Sequence, residues 1–310
     1  MSTLLLLGLL LVTATPPEPC APGLSVAVES ILEGARERNR KYEPPSAEAL
    51  ETTLKLARAL ESDTAKGKLT PETLELAKSS VFDLVPTHLG TASAVAVVER
   101  AGHRGGGGVY VIKCGARGPW VVQVPHSFYD EGTLVVGLAV AAKEAAGVLF
   151  VNTIHRYEGA PPPRRGDDES DGAGSRADLA HQEAAHFQRF TEAFVTSAET
   201  TVVQLHGFAS LAGLPDAQVV LSDGSTAAPA HVTALQGRLA TALKGKSHVL
   251  VYPKDVRKLG ATTNVQGTLV RKKGARFVHV EMSRALRDRL ISDATARADF
   301  ADAVVCPPSP

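Results

Sequence analysis

The sequence predicts an α/β protein with a mixed, mostly parallel central sheet, helices on both faces, and a helical region at the N-terminus. Along most of the chain, short apolar runs of strand type alternate with helical segments of about ten or more residues, as in βαβ units. A sheet of this kind is covered by helices on both faces. With 310 residues and 44% hydrophobic content, the chain can bury a core large enough for such a fold.

The first part of the chain, residues 20–90, is predicted to be a helical N-terminal region. Helices are expected at residues 25–41, 46–61 and 70–82. In the second of these, Leu50, Leu54 and Leu60 recur at helical spacing, and Pro71 suits the first turn of the third. No strand is predicted here, and we expect the helices to pack on the main domain.

The α/β catalytic domain is predicted to span residues 91–306. Two apolar runs, 93–98 and 109–112, flank four consecutive glycines and predict a hairpin. The segment 158–176, rich in Pro, Gly, Arg and Asp, is interpreted as a surface loop, with a lid over a functional site as the alternative. The remaining predicted elements are strands at 120–124, 148–152, 201–205, 218–221, 249–252 and 276–280, and helices at 133–146, 178–197, 229–243 and 283–290.

Charge and composition argue against nucleic acid as a partner. Lysine plus arginine and aspartate plus glutamate are balanced at 33 each, so no net field attracts a polyanion. Aromatic residues make up only 5% of the chain, which leaves little surface on which bases could stack.

The N-terminus carries the pattern of an export signal. Residues 4–12 are an apolar run too short to span a bilayer, and small residues follow it. We therefore predict a signal peptide at residues 1–15, a secreted or periplasmic protein, and no membrane association after signal removal. The alternative is a buried or disordered tail.

Three cysteines fit an oxidising compartment. Cys20 and Cys306 lie near the two ends of the mature chain, and chain ends are often close together, so a disulfide between them would suit such a compartment; the sequence leaves open whether they pair. Cys114 follows an apolar run and is predicted to be an ordinary buried residue.

Three predicted strands end in groups that can bind a metal or move a proton. His126 follows the first of them, with Asp130 and Glu131 close behind; His206 ends the second, and Glu281 ends the third. If these strands are parallel neighbours, their carboxyl ends meet in one crevice. Two histidines and a carboxylate make a three-ligand set for catalytic zinc, and a separate glutamate could act as general base.

Each of these residues also has a structural interpretation. Asp130 could cap the helix that follows it, and Glu281 could open the last helix. Asp178 is interpreted as a helix cap near His181, with a second metal site as the alternative. Arg156 could bind a substrate carboxylate through two parallel hydrogen bonds, and further candidates for substrate binding are Asn264 and Arg287.

The series Pro125-His126…Asp130-x-Gly-Thr133, Val-Gln-Leu-His206-Gly207 and Val-Glu281-Met-Ser…Leu-Arg287 resembles a group of zinc hydrolases. The group comprises zinc carboxypeptidases, N-formylglutamate amidohydrolases, phage-type poly-γ-glutamate hydrolases and N-acetylmuramoyl-L-alanine amidases. The resemblance covers roughly residues 121–290. The carboxypeptidase pattern has glutamate where this chain has Tyr129, and the poly-γ-glutamate hydrolase pattern has glutamate at the place of Glu131.

The resemblance implies an α/β fold with a mixed sheet and a zinc ion held by His126, Asp130 and His206, with Glu131 as the alternative to Asp130. Glu281 would be the general base, and Arg156 would bind the substrate carboxylate. The expected protein is an exported zinc-dependent amidohydrolase or metallopeptidase. It would use metal-activated water to cleave a C–N amide bond in a small peptide, a peptidoglycan stem or a γ-glutamyl substrate. The alternative is a non-catalytic secreted protein of the same fold that binds cell-wall or peptide ligands.

Overall fold

The computed structural model describes residue 20 and residues 25–36, 41–103, 105–159, 175–245 and 248–305. Within these ranges the chain forms a nine-stranded sheet in the order β1-β2-β3-β5-β4-β6-β9-β7-β8. Four neighbouring pairs are antiparallel and four are parallel, and the parallel pairs β5-β4, β4-β6 and β6-β9 occupy the centre. The predicted mixed α/β sheet is confirmed.

The three helices predicted near the N-terminus are present as α1 (Val28–Ala35), α2 (Ala47–Ala65) and α3 (Pro71–Ser79). The hydroxyls of Ser46 and Thr70 accept hydrogen bonds from the first-turn amides of α2 and α3. Because the first amides of a helix lack partners within it, these caps fix where α2 and α3 begin.

A strand occupies the end of the region that was predicted to contain only helices. β1 (Phe82–Leu89) pairs along its whole length with β2 (Ala92–Glu99) at one edge of the sheet. Pro86 is tolerated there because an edge strand does not need every backbone amide for pairing. That proline and the polar residues around it mask the strand pattern. The predicted domain boundary falls in the turn between β1 and β2, and the division into two domains stays a prediction.

The rest of the chain alternates strands and helices, and the predicted hairpin is confirmed by the pairing of β2 with β3. The predicted helix at 178–197 is instead a short 3-10 turn, Leu179–His181, followed by α5. The helices α7 and α9 were not predicted. The elements are β3 (Val109–Lys113), β4 (Trp120–Val124), α4 (Thr133–Ala142), β5 (Ala146–Val151), α5 (His186–Phe194), β6 (Thr201–Phe208), β7 (Val219–Ser222), α6 (Ala230–Ala242), β8 (Val249–Val251), α7 (Val265–Lys272), β9 (Arg276–Ser283), α8 (Arg284–Ser292) and α9 (Ala294–Val305).

Helices cover both faces of the sheet, as predicted. Side chains of α1, α4, α6, α8 and α9 form one apolar cluster with one face of the strands. Side chains of α2, α3, α5 and α7 form a second cluster with the opposite face. Successive residues of a strand point to opposite faces, so β4, β6 and β9 contribute to both clusters.

The partner of Cys20 is Cys114 and not Cys306: Cys20 is bonded to Cys114, with the two Cα atoms 5.7 Å apart. Cys114 directly follows β3 and is only half-buried, so it is accessible to the N-terminal segment rather than enclosed in the core. Cys306, the predicted signal peptide and residues 160–174 of the predicted loop lie outside the described residues. Among the residues described, no helix is long and apolar enough to cross a bilayer.

Candidate metal centre

The three strands predicted to carry the site are parallel neighbours in the centre of the sheet. β6 lies between β4 and β9 and pairs with both in parallel. His126 comes two residues after the end of β4, while His206 and Glu281 stand opposite each other in the register of β6 and β9. Parallel strands end at the same edge of a sheet, so the three side chains share one end of the molecule.

The side chains of His126, Asp130 and His206 converge on one buried point. The Nδ1 atom of His126 lies 3.3 Å from Oδ2 of Asp130, and the Nδ1 atom of His206 lies 3.7 Å from the same oxygen. The two Nδ1 atoms are 3.1 Å apart. No side chain in the cluster is more than 5% exposed. These three residues could therefore hold one metal ion.

The structure places Asp130, and not Glu131, beside the histidines. The Asp130 amide donates to the carbonyl of His126, 2.9 Å away, and this single turn brings side chains four residues apart onto one face. Glu131 points away: its side chain is 55% exposed and lies 3.1 Å from Arg284. The Asp130 side chain caps no helix, because α4 has no side-chain cap.

The chemistry of the cluster fits a cation. The Nε2 atom of each histidine faces an oxygen: Asp178 Oδ1 at 2.8 Å for His126, and Gln204 Oε1 at 2.8 Å for His206. When both rings are neutral, a proton on each Nε2 leaves both Nδ1 lone pairs facing Asp130 Oδ2, a buried oxygen with no hydrogen-bond donor among the described residues. Three converging electron-pair donors repel one another unless positive charge lies close to them. Arg156 approaches Nδ1 of His126 at 3.2 Å, and a metal ion could bind all three donors. Two imidazole nitrogens and a carboxylate are typical ligands of zinc.

Asp178 anchors the cluster from behind, a role that differs from its prediction as a helix cap. Its side chain makes no capping hydrogen bond to the turn that follows; it binds His126 and Arg156 instead. Burial alone would raise its pKa, but His126, His181 and Arg156 hold the pKa of Asp178 well below its usual range. Asp178 is 52 residues from His126 in sequence, so no local pattern could have revealed this contact.

Arg156 contributes positive charge to the cluster itself. Its guanidinium donates to Asp178 at 2.5 Å, reaches Nδ1 of His126 at 3.2 Å, and lies over the rings of Tyr129 and Tyr157. Burial and the Arg156 charge lower the pKa of His126, but Asp178 and Asp130 outweigh them, so the pKa of His126 is raised above its ordinary value.

His279 is a member of the site that was not predicted. Its Nε2 atom lies 3.5 Å from Oε1 of Glu281, and its ring centroid lies 4.4 Å from that of His206. These three residues form a second group that could hold a metal ion. Burial and the nearby His126 and His181 lower the pKa of His279 to about 3, so its ring is neutral. The two-residue spacing to Glu281 in a strand is the signal that could have found it, because such residues share a face.

Asn264 and Arg287, predicted to bind substrate, make contacts within the protein. Asn264 caps α7 through Oδ1 and donates from Nδ2 to Gln204, while also lining the cavity at the site. The described hydrogen bonds of Arg287 go to the backbone carbonyls of Glu131, Phe208 and Met282. A role of either residue in substrate binding stays a prediction.

A cavity of about 150 Å³ leads to the cluster. Its lining includes His126, Asp130 and Glu281, together with the segment 257–264 that precedes α7. Arg257 and Lys258 in that segment are exposed, and neither is ion-paired within the described part of the chain. The approach to the cluster is therefore positively charged.

No protein-family model matches the sequence, and no curated protein matches it. Similar solved structures include a metallo-carboxypeptidase from Burkholderia cenocepacia, with 12% identity, a TM-score of 0.38, and coverage of 85% of this chain and 69% of that one. An N-acetylmuramoyl-L-alanine amidase from Clostridium difficile 630 has 14% identity and a TM-score of 0.31, covering 61% of this chain and 94% of that one.

The tripeptide-bound cell shape determinant protein from Helicobacter pylori has 11% identity and a TM-score of 0.37, covering 61% of this chain and 52% of that one. By their names, the metallo-carboxypeptidase and the N-acetylmuramoyl-L-alanine amidase belong to the group of zinc hydrolases that the sequence resembles. Because these TM-scores are below 0.5, the likeness carries no conclusion about the activity of this chain.

Proposed function

We propose that this chain is an exported zinc-dependent hydrolase that cleaves an amide bond. One observation carries the proposal: Nδ1 of His126, Nδ1 of His206 and the unbonded Oδ2 of Asp130 converge in a buried cluster at the end of a cavity. Three protein ligands leave one position of a tetrahedral zinc ion open to water or substrate, as in catalytic zinc sites.

The proposed roles follow from the positions of the side chains. Zinc held by His126, Asp130 and His206 would polarise the scissile carbonyl and lower the pKa of water to about 7. The carboxylate of Glu281 lines the cavity opposite His206 in the sheet, and it would take a proton from the attacking water. The same carboxylate would then return this proton to the nitrogen of the leaving amine, so that the cleaved bond yields a carboxylic acid and an amine.

The substrate we propose is a small peptide, a peptidoglycan stem or a γ-glutamyl chain that carries a carboxylate near the cleaved bond. Arg156 is already engaged with Asp178 and His126. The exposed cations Arg257 and Lys258 at the cavity are therefore better placed to receive the substrate carboxylate.

Export is part of the proposal. A disulfide between Cys20 and Cys114 suits an oxidising compartment, because disulfides rarely persist in the cytosol. Together with the apolar run at residues 4–12, it supports cleavage of a signal peptide and a secreted or periplasmic location.

Metal content and amidase activity test the proposal with matched variants. Asp130→Asn should lose stoichiometric zinc, whereas Glu131→Gln, one residue along the chain, should retain it because Glu131 points to solvent. Glu281→Gln should retain zinc and lose amidase activity by about 10²–10⁴-fold, the usual effect of removing a general base.

Full zinc occupancy in purified Asp130→Asn, or undiminished turnover by Glu281→Gln, would contradict these roles. If wild-type protein binds zinc and acidic peptides but hydrolyses none, and Glu281→Gln binds them equally well, the chain is a non-catalytic binding protein instead.

A further inference from the structure

A row of buried polar side chains runs from His206 into the apolar layer between the sheet and helices α5 and α7. Gln123, Gln204 and Gln266 are completely buried, and Asn264 and Thr191 are no more than 2% exposed. Buried amides are costly unless both their oxygen and their nitrogen find partners. Such a row requires an explanation other than packing, because apolar residues would fill the same space.

We propose that this row fixes the tautomer of His206, with the proton on Nε2 and the bare lone pair of Nδ1 directed into the metal cluster. Gln204 is the positioning residue, because its Oε1 atom lies 2.8 Å from Nε2 of His206. The relevance to zinc rests on the proposed function, whereas the tautomer itself does not. Amide oxygen and nitrogen can exchange places by rotation, so the orientation of Gln204 must be established independently.

The first anchor is a backbone carbonyl of α5. The Thr191 hydroxyl donates its proton to the carbonyl of Phe187, at 2.8 Å, and can therefore only accept from Gln123 Nε2, also at 2.8 Å. This directs Gln123 Oε1 toward Gln204. That oxygen can only accept, so the atom of Gln204 that lies 2.9 Å from it must be the nitrogen.

The second anchor is the carbonyl of Leu179. Gln266 Nε2 donates to it at 2.9 Å, which directs Gln266 Oε1 toward Gln204. Gln204 Nε2 lies 3.2 Å from this second oxygen. Two oxygens, each oriented by a different backbone carbonyl, thus require a nitrogen at the same place.

The third anchor is a backbone amide and acts on the other atom of Gln204. The amide of Gly267 donates to Asn264 Oδ1 at 2.8 Å, so Asn264 Nδ2 is the atom facing Gln204. This nitrogen lies 2.5 Å from Gln204 Oε1 and must donate to it.

The three anchors agree on one orientation. Rotating the Gln204 amide would place its NH₂ group against that of Asn264, and its oxygen against the oxygens of Gln123 and Gln266. In a dry interior this would leave several donors and acceptors unpaired, each at a substantial cost. Gln204 Oε1 therefore stays an acceptor, and His206 must donate from Nε2. Asp178, an acceptor-only carboxylate, fixes the same tautomer for the neutral ring of His126.

The tautomer can be measured directly in metal-free wild-type protein with ¹⁵N-labelled histidine. Nitrogen chemical shifts distinguish a protonated from a bare ring nitrogen, and the His206 signals are assigned from their loss in His206→Asn. We expect a single neutral form of His206 with its proton on Nε2. A proton on Nδ1, or a mixture of the two forms, overturns the inference. This measurement needs no variant of the polar row to fold.

A matched pair of variants tests the consequence for metal binding. Gln204→Met removes the acceptor, while Gln188→Met makes the same substitution at the far end of the row. Gln188 contacts Gln266 but not Gln204, and without it the Leu179 carbonyl still orients Gln266. Zinc affinity, measured by competition with a chelator, should fall about 10- to 100-fold in Gln204→Met, as for other partners of metal-bound histidines, and should stay near the wild-type value in Gln188→Met. Equal affinities in the two variants overturn the inference.

The failure of this inference is distinguishable from failure of the proposed function. If the wild-type protein shows the Nε2-protonated form of His206 and binds no zinc, the tautomer assignment stands and the zinc hydrolase is excluded.

Discussion

Burial lowers the pKa of each buried histidine in the site and of His186, but the charges around each ring give them different net shifts. Next to Asp178 and Asp130, the pKa of His126 is raised despite complete burial. Burial and the neighbouring His279 and His126 rings lower the pKa of His206 well below its ordinary value. Burial alone lowers the pKa of His186, which is remote from the cluster, to about 4. The two carboxylates beside His126 outweigh the effect of burial on its pKa, whereas Glu281 beside His279 does not outweigh it.

His186 leads to a prediction about stability in mild acid. The unfolded chain binds a proton at histidine near pH 6.5, but folded His186 does so only near 4, so the unfolded state is protonated first. Above pH 6.5 the ring is neutral in both states and does not lower the stability. As the pH falls toward 4, the free energy of unfolding decreases by about 3 kcal/mol in total on account of His186. His186→Gln should therefore lose less stability than the wild type across this range, as measured by denaturant unfolding at several pH values.

The exposed His88 provides the control for this experiment. His88→Gln makes the same substitution at an exposed position, and shows how the change of residue affects stability where no buried ring is lost. A pH-independent difference between wild type and His186→Gln would contradict the prediction.

At the scale of elements, the packing of α4 against β4 helps to position His126, the first of the proposed metal ligands. Gly137 lies in the middle of α4, and a Cβ atom placed there would come within 2.5 Å of Val124, the last residue of β4. His126 begins the turn only two residues later. The close approach of helix to strand therefore supports the position of the site.

Two helical glycines allow this packing to be tested. Gly137→Ala should destabilise the protein by about 1–3 kcal/mol, because the added methyl group overpacks the contact with Val124. In α6, Gly237 has open space where its Cβ atom would lie, and Gly237→Ala should stabilise the protein by about 0.5–1 kcal/mol through helix propensity. Denaturant unfolding measures both. Similar effects of the two substitutions on the free energy of unfolding would show that α4 can move away from β4 without loss of stability.

Elements could be predicted from the sequence where the pattern was strong. The valine-rich central strands and the capped helices α2 and α3 were found, because burial and periodicity act on neighbours in the chain. β1 was missed because an edge strand with a proline lacks that pattern, and α7 because its eight residues are too few for a clear period.

At the scale of the whole molecule, the disulfide ties the N-terminal segment to the end of β3. It joins residues that are 94 positions apart, so it restricts a large part of the unfolded chain. Cys20→Ser should lower the free energy of unfolding by about 2–5 kcal/mol, the usual effect of removing a native disulfide from a small domain. Denaturant unfolding measures this loss.

Peptide mapping of the non-reduced protein identifies the partner of Cys20. The Cys306→Ser variant should keep the Cys20–Cys114 link and the stability of the wild type. A Cys20–Cys306 peptide in the wild-type map would contradict the structure.

The sequence by itself predicted the class of fold, the three strands that place His126, His206 and Glu281, and the presence of carboxylates beside the first histidine, although β6 and β9 each continue two residues beyond His206 and Glu281. Each of these follows from residues close together in the chain, whose periodicity and spacing the backbone converts directly into geometry. Only the tertiary structure decided which carboxylate faces the histidines, that Asp178 and Gln204 hold them from behind, that His279 joins the site, and which cysteine pairs with Cys20. Some of these contacts are local: Asp130 is four residues from His126, and Gln204 and His279 are each two residues from their partners. The others are distant in sequence, with 52 positions between His126 and Asp178 and 94 between Cys20 and Cys114. Asp178 reaches His126 at the edge where the parallel strands β4 and β6 end, and Cys20 reaches Cys114 at the end of the antiparallel strand β3; no local pattern encodes either proximity.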